Sequence, residues 1–324
     1  MAVMSDGTAV LARAREGGFR HPPVRVVEGP IVDIHTHASR KQAHELMEAA
    51  EIYGIASILA ISGLDEGLRL RDRYPERVIV ATQLDWEPRT RPVEFARANE
   101  ALLKRAAASG VPVVKLWFGP RIYPRYDGLR LDALLLDPVF DVIDSLGLRV
   151  LVHIADPDTW FANKYTDTAT YGTKPQQYAQ LENRLRQYPR ISFLVPHMGG
   201  HPEDLGHLAD LLDRYPNLSF DMSATRWIVR EIGKQGATAR GFFTRYEDRL
   251  LWGSDQVVLD ESEPERYTVR YWIQQMFWET DLVCPLAIDD PDGGPVPMQR
   301  GVALPPAVLR KVYWENSRRW LGLA

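Results

Sequence analysis

The 324-residue sequence has a single cysteine, Cys284. No intrachain disulfide can form, so the fold has to be held by its core, and a reducing compartment is expected. A lone cysteine without an activating setting reads as buried filler. Charge of one sign is lacking as well: 39 Lys and Arg stand against 43 Asp and Glu, a formal net charge of −4. That balance leaves no electrostatic footprint for nucleic acid or an anionic membrane. Long hydrophobic runs are missing, and every apolar stretch falls far short of the ~20 residues that a membrane span needs. Residues 1–30 mix Arg, Glu, Gly and Pro without a continuous apolar run, which argues against a signal peptide. The expected setting is cytoplasmic. Neither G-x-G-x-x-G after a first strand nor G-x-x-x-x-G-K-[ST] occurs, so nucleotide binding is not encoded.

What is present is an ordinary globular composition, 45% hydrophobic and 25% charged. Short β-rich runs at 31–37, 55–61, 78–84, 111–117, 149–154, 191–197, 218–222 and 250–254 alternate with amphipathic segments. The latter include 41–53, 92–108, 138–146, 174–188 and 202–215. Eight strands alternating with helices imply repeated βα units and a parallel sheet. Runs such as Val-Ile-Val-Ala are continuously apolar, as strands buried on both faces should be. The pattern favours an α/β fold, a (β/α)8 TIM barrel over residues 31–324, against an open doubly wound sheet. Residues 1–30 form an N-terminal extension over the barrel bottom or an edge. Long loops at 118–131, too rich in Pro and Gly to be helical, and at 283–304 are expected at the catalytic face.

Histidine placement carries the chemistry. His35 and His37 end the first strand in Asp-Ile-His-Thr-His, and their i, i+2 spacing puts both rings on one strand face. His153 ends the fifth strand, His197 the sixth, and Asp255 the eighth. A carboxylate in an apolar strand is costly unless it is paired or bound to a metal. Four imidazoles and one carboxylate on the strand ends of one barrel face, with no thiolate, suit one divalent transition metal. Zinc is the first choice, with manganese, iron and cobalt also suited.

This set resembles the amidohydrolase superfamily, and more narrowly the amidohydrolase-2 branch that includes aminocarboxymuconate semialdehyde decarboxylase. The correspondence runs from about Val32 to Asp255 and on through the closing helix. The resemblance implies that His35, His37, His153 and Asp255 hold the metal, with His197 as acid/base and Asp255 doubling as the proton shuttle in hydrolytic members. Physical chemistry supports those roles: a metal with an open position lowers the pKa of water toward ~7, and an imidazole works in either direction at neutral pH. The glycines after His197 would let a loop approach the substrate closely.

Lys115 lies in Val-Pro-Val-Val-Lys-Leu-Trp on the fourth strand, where binuclear members of the superfamily carry a carboxylated lysine that bridges two metals. Here the expectation is an uncarboxylated lysine that touches the substrate pocket or pairs with Asp33 or another carboxylate. Trp117, Trp160 and Tyr165 sit on loops that could wall an unsaturated ligand. Arg226 and Arg230, after the seventh strand, could clamp a substrate carboxylate. His201 is a candidate to support the site from behind, while His21, His44 and His207 read as surface residues. The aromatic helix at 267–278 offers either a homodimer face or a cap on the barrel.

Three function classes follow. The first is a metal-dependent hydrolase of an amide, lactone or related C–N/C–O bond in a small molecule. The second is a metal-dependent non-oxidative decarboxylase of a carboxylated aromatic or muconate-like compound. The third is a catalytically silent barrel serving as a binding module, which has no need of inward imidazoles.

Overall fold

The computed structural model describes residues 7–38, 43–258 and 263–323. Eight strands appear where the apolar runs place them: β1 (Ile31–His37), β2 (Ile55–Ser62), β3 (Val78–Gln83), β4 (Val113–Trp117), β5 (Arg149–His153), β6 (Phe193–Val195), β7 (Leu218–Asp221) and β8 (Leu250–Leu251). Each pairs in parallel with the next. A short segment, β9 (Gln256–Val257), then pairs in parallel with β1. Between β8 and β9 the Ile34 amide donates to Trp252 O at 3.2 Å and the Asp255 amide to His35 O at 2.9 Å. The eighth strand is thus split in two, and its halves close the sheet onto β1 as a (β/α)8 barrel.

Val32, Ile34, Leu59, Ile61, Ala81, Val113, Leu151, Leu194 and Leu251 fill the barrel interior, and Trp320 and Leu321 of the last helix pack against them. A larger apolar layer lies between the strands and the surrounding helices. Strand ends carry the polar residues, because the layer above the interior plug opens to the catalytic face. Helices start where local chemistry favours it. Pro92 opens the helix Pro92–Ala108. Thr173 and Gln176 form a capping box for Lys174–Gln187.

Three expectations are refined. The loop at 118–131 holds one helical turn, Ile122–Arg125, despite Pro124. A single turn closed by Tyr126 N to Ile122 O at 2.8 Å asks nothing of the missing proline N–H. The loop at 283–304 contains an antiparallel hairpin, Val283–Pro285 with Met298–Arg300. Within the N-terminal extension, residues 1–6 lie outside the described residues, and Gly7–Glu16 is a helix whose first residue abuts that hairpin at Val283.

The rest of the extension straps the helix Glu265–Glu279. Phe19 packs edge-on to Trp272 at 5.5 Å. Thr268 Oγ1 donates to Gly18 O at 3.0 Å, and the Val26 amide donates to Glu279 Oε2 at 2.7 Å. Tyr271, Trp272, Phe277 and Trp278 are buried by the chain's own residues. Of the two readings of this helix, a dimer face or a cap, the burial of these four aromatics fits the cap.

Candidate metal centre

The C-terminal ends of the strands bring the sequence-predicted residues to one mouth. Strand β1 has an irregular register between Asp33 and Thr36. That irregularity lets Ile34 fill the interior while His35 still turns to the mouth. His35 Nε2 lies 3.3 Å from His37 Nε2. Asp255 Oδ1 lies 3.5 Å from His35 Nε2 and 3.4 Å from His37 Nε2. Ligand atoms at tetrahedral bond lengths of about 2.0–2.2 Å stand about 3.3–3.5 Å from one another, so these three atoms have the mutual spacing of a shared cation. The protonation pattern agrees. His35 Nδ1 donates to Asp221 Oδ2 at 2.8 Å, which leaves a lone pair at Nε2 facing a carboxylate oxygen. Without a cation between them that arrangement is repulsive.

His153 stands beside this trio rather than in it. Its ring lies 5.2 Å from that of His197, and its Nε2 donates to Asp156 Oδ1 at 3.0 Å. Nδ1 is then its remaining coordinating nitrogen. Asp156 also accepts from Tyr165 Oη at 2.8 Å. Burial alone would raise its carboxyl, but the His153 and Tyr165 contacts hold it below the usual carboxylate value. Tyr165 is therefore a buried support for Asp156 and not a pocket wall.

Sequence reasoning missed Asp221, at the end of β7. Fully buried, it accepts from the amides of His197 at 2.8 Å and Ser223 at 3.0 Å, as well as from His35. Ser223 Oγ donates to Asp221 Oδ1 and accepts from His197 Nδ1 at 2.8 Å. Asp221 thus fixes two imidazoles: His35 with Nε2 bare toward the ligand trio, and His197 with Nε2 bare toward Asp255 Oδ2, 3.9 Å away. Burial opposes its charge, yet His35, His197 and Ser223 together hold its carboxyl well below the usual range. Burial also pushes His197 down to about 3, so its ring is neutral near pH 7. The only available signal was Asp-Met-Ser at a strand end, the same i, i+2 spacing as His-Thr-His.

The backbone is strained at the same places. His197 (φ 58°), Met198 (φ 51°), Ala224 (φ 71°) and Asp255 (φ 56°) are left-handed without being glycine. Such conformations cost on the order of 1–3 kcal/mol each and persist where surrounding structure enforces them. Gly200 (φ 68°) has a different reason: a Cβ there would lie 1.9 Å from Ala155 O. The glycine allows the β6 loop to meet the β5 loop.

Two recesses flank the trio. One, of about 310 Å³, is lined by His37, Lys115, Trp117, Gln83, Trp86 and Tyr126, with Arg125 at its rim. Lys115 is buried and has no hydrogen-bond or ion-pair partner among the described residues. Burial pushes its ammonium down to about 8. Asp33 is not its partner, because Asp33 faces away and accepts from Ser254, the His35 amide and Tyr271 Oη. The second recess, on the Asp255 side, includes Arg226.

Other candidates lie further out. Arg230 is consumed by buried ion pairs with Glu231 and Asp290, so it cannot clamp a substrate. Trp160 donates to Asp292 Oδ2 at 2.7 Å and rests on Trp227. Trp227, which the sequence did not single out, stands between it and His197, its ring 5.2 Å from the imidazole. His201 approaches Asp158 and Glu203. Lys174 pairs with Asp158 there, while His201 Nδ1 and Glu203 Oε2 are buried without a hydrogen-bond partner among the described residues.

The sequence model of the family described as Amidohydrolase matches residues 32–323. The chain belongs to the amidohydrolase family. As an amidohydrolase it is an enzyme of a family that is typically metal-dependent, and His35, His37 and Asp255 are a group that could hold an ion. Solved structures agree on the fold. A 4-oxalomesaconate hydratase from Rhodopseudomonas palustris is 14% identical with a TM-score of 0.54, covering 90% of this chain and 95% of its own. A 2,6-dihydroxybenzoate decarboxylase from Rhizobium is 14% identical with a TM-score of 0.52, covering 91% and 99%. A dihydroorotase from Campylobacter jejuni is 13% identical with a TM-score of 0.53, covering 91% and 84%. No curated protein matches this amidohydrolase. No helix among its described residues is long and apolar enough to cross a membrane.

Proposed function

We propose that the protein is a metal-dependent hydrolase of a small, carboxylate-bearing molecule, acting on an amide, lactone or related C–N/C–O bond. The observation that carries this reading is the mutual 3.3–3.5 Å spacing of His35 Nε2, His37 Nε2 and Asp255 Oδ1. With His153 at the same mouth, this all-nitrogen-and-oxygen set fits a divalent transition ion, with zinc the first choice. When bound, such an ion supplies Lewis acidity: it polarises a carbonyl and makes water acidic near neutral pH.

The chain's own residues do the rest. His197, held neutral with Nε2 bare, can take a proton, and Asp255 Oδ2 lies on its path. Ser223 and Asp221 stabilise the imidazolium that results, through the Nδ1 hydrogen bond. The Lys115 ammonium can hold a substrate carboxylate, and Trp86, Trp117 and Tyr126 can cover an unsaturated body. A second reading is non-oxidative decarboxylation, in which Lys115 holds the carboxylate that is lost and His197, once it has taken up a proton, delivers it to the carbon that loses CO₂.

The test is metal content followed by isotope tracing. Purified protein should carry about one transition metal per chain, and His35→Ala or Asp255→Ala should remove it without unfolding the barrel. Turnover in ¹⁸O-water should label the product of hydrolysis. Release of CO₂ with no label transfers the enzyme to the decarboxylase class, and wild-type protein that binds no metal ends the proposal.

A further inference from the structure

The recess on the Asp255 side, about 180 Å³ in volume, gathers Arg226, Arg266 and Arg270 beside Asp255. Arg226 lies in the first turn of the helix Thr225–Gly233 that follows β7, whereas Arg266 and Arg270 stand one turn apart on the helix Glu265–Glu279. Two like charges at i, i+4 repel each other on a helix face. A third guanidinium packed against them makes the repulsion worse. Arginines kept together in this way normally share carboxylates, as Arg230 does with Glu231 and Asp290. Here none of the three has a carboxylate partner among the described residues. Among the described residues Asp255 is the one acid lining the recess, and its oxygens face the histidines. Arg270 Nη1 donates to Arg266 O at 2.8 Å, while the Nε atoms of Arg226 and Arg266 are buried without a partner. Burial, and then the charges of Arg266 and Arg226, push Arg270 down to about 10. A buried donor without an acceptor is costly, and a buried charge more so.

We propose that this recess is an anion subsite that binds a carboxylate of the substrate remote from the reacting bond, with Arg266 and Arg270 as specificity-determining residues beside Arg226. Its volume admits a small oxyanion group and excludes a nucleotide or sugar. Lys115 lies on the opposite, His37 side of the trio, so a substrate spanning both recesses carries two anionic ends: a short unsaturated or aromatic dicarboxylate. This deepens the hydrolase reading, and rests on it only for where the reacting bond sits.

The experiment is calorimetric titration of malonate, acetate and inorganic phosphate into wild-type protein, both metal-loaded and chelator-stripped. Arg266→Gln, Arg270→Gln and Arg270→Lys are titrated in parallel, with thermal melts to verify folding. Malonate should bind stripped wild-type protein, and each Gln variant should weaken it about tenfold or more, the size of a lost charged hydrogen bond. Arg270→Lys should retain part of the affinity. Malonate binding that disappears with the metal, or that is unchanged in both Gln variants, overturns the subsite. Preference for phosphate over malonate overturns the carboxylate assignment. If Arg270→Gln does not fold, Arg266→Gln decides alone. Because the arginine effect is read on stripped protein, it stands or falls separately from the metal centre.

Discussion

Replacing Asp221 with Asn changes one atom and reverses one hydrogen bond. The amide oxygen can still accept from the amides of His197 and Ser223, at 2.8 and 3.0 Å in the wild-type protein. The amide nitrogen, however, comes to lie where Oδ2 receives the His35 Nδ1 proton at 2.8 Å. Two donors then face each other in a fully buried site. The imidazole escapes by moving its proton to Nε2, the nitrogen aimed at His37 and Asp255, and so ceases to be a ligand. Leaving a buried group unsatisfied costs about 1–3 kcal/mol, which is about 5- to 150-fold in an equilibrium constant. Loss of a carboxylate behind a metal-bound histidine typically weakens metal binding about 10–100-fold, in the same range. Zinc affinity measured by competition with a calibrated chelator should therefore fall by one to two decades in Asp221→Asn. His35→Ala serves as the no-site reference, and a thermal melt excludes global unfolding. Wild-type zinc affinity in both Asp221→Asn and Asp221→Ala would refute the assignment of Asp221 as the group that sets the His35 tautomer.

Three further outcomes are expected. His197→Asn should keep its metal while turnover falls by ~10²–10⁴, the usual size of general acid–base effects, and normal turnover would make His197 a packing residue. Because burial lowers Lys115 from 10.5 to about 8, the ammonium that holds substrate is lost as pH rises through that value. KM should climb above about pH 8 in wild-type enzyme and stay flat in Lys115→Arg, whose charge persists. Stability moves the other way. The unfolded chain binds the extra proton between about pH 8 and 10.5, so stability rises with pH across that window. A pH-independent KM in wild type, or a carbamate on Lys115 found by mass spectrometry, would show that the ammonium is not the binding group.

Much of this was legible in the sequence, for definite physical reasons. Strands buried on both faces have to be apolar throughout, so Val78–Gln83 and Arg149–His153 stand out by composition alone. Candidate ligand histidines have to reach the mouth from such strands, and His35 and His37 at the end of β1 do so. Asp221 escaped notice because one acid at the end of Leu-Ser-Phe-Asp looks like any strand terminus. Its value lies in three partners drawn from β1, β6 and its own loop. Arg230 and Trp160 were over-read for the converse reason: their partners, Asp290 and Asp292, arrive from a hairpin loop about 60 and 130 residues away in sequence. Left-handed backbone at Ala224 and Asp255 leaves no trace in residue type. No local rule assigns an alanine to that region.

The split eighth strand ties the order of folding to the assembly of the site. Residues 250–257 join a strand that begins at residue 31, so the seam between them is among the most non-local pairings in the chain. Loop-closure entropy places such pairings late. Seven βα units can stack before the ring shuts, but Asp255 reaches His35 and His37 only when it does. A nascent or partly opened chain therefore retains most of its secondary structure and none of the ligand trio. Opening of this seam, seen as amide exchange at Asp255 and Val258, would release a bound ion well before the molecule unfolds.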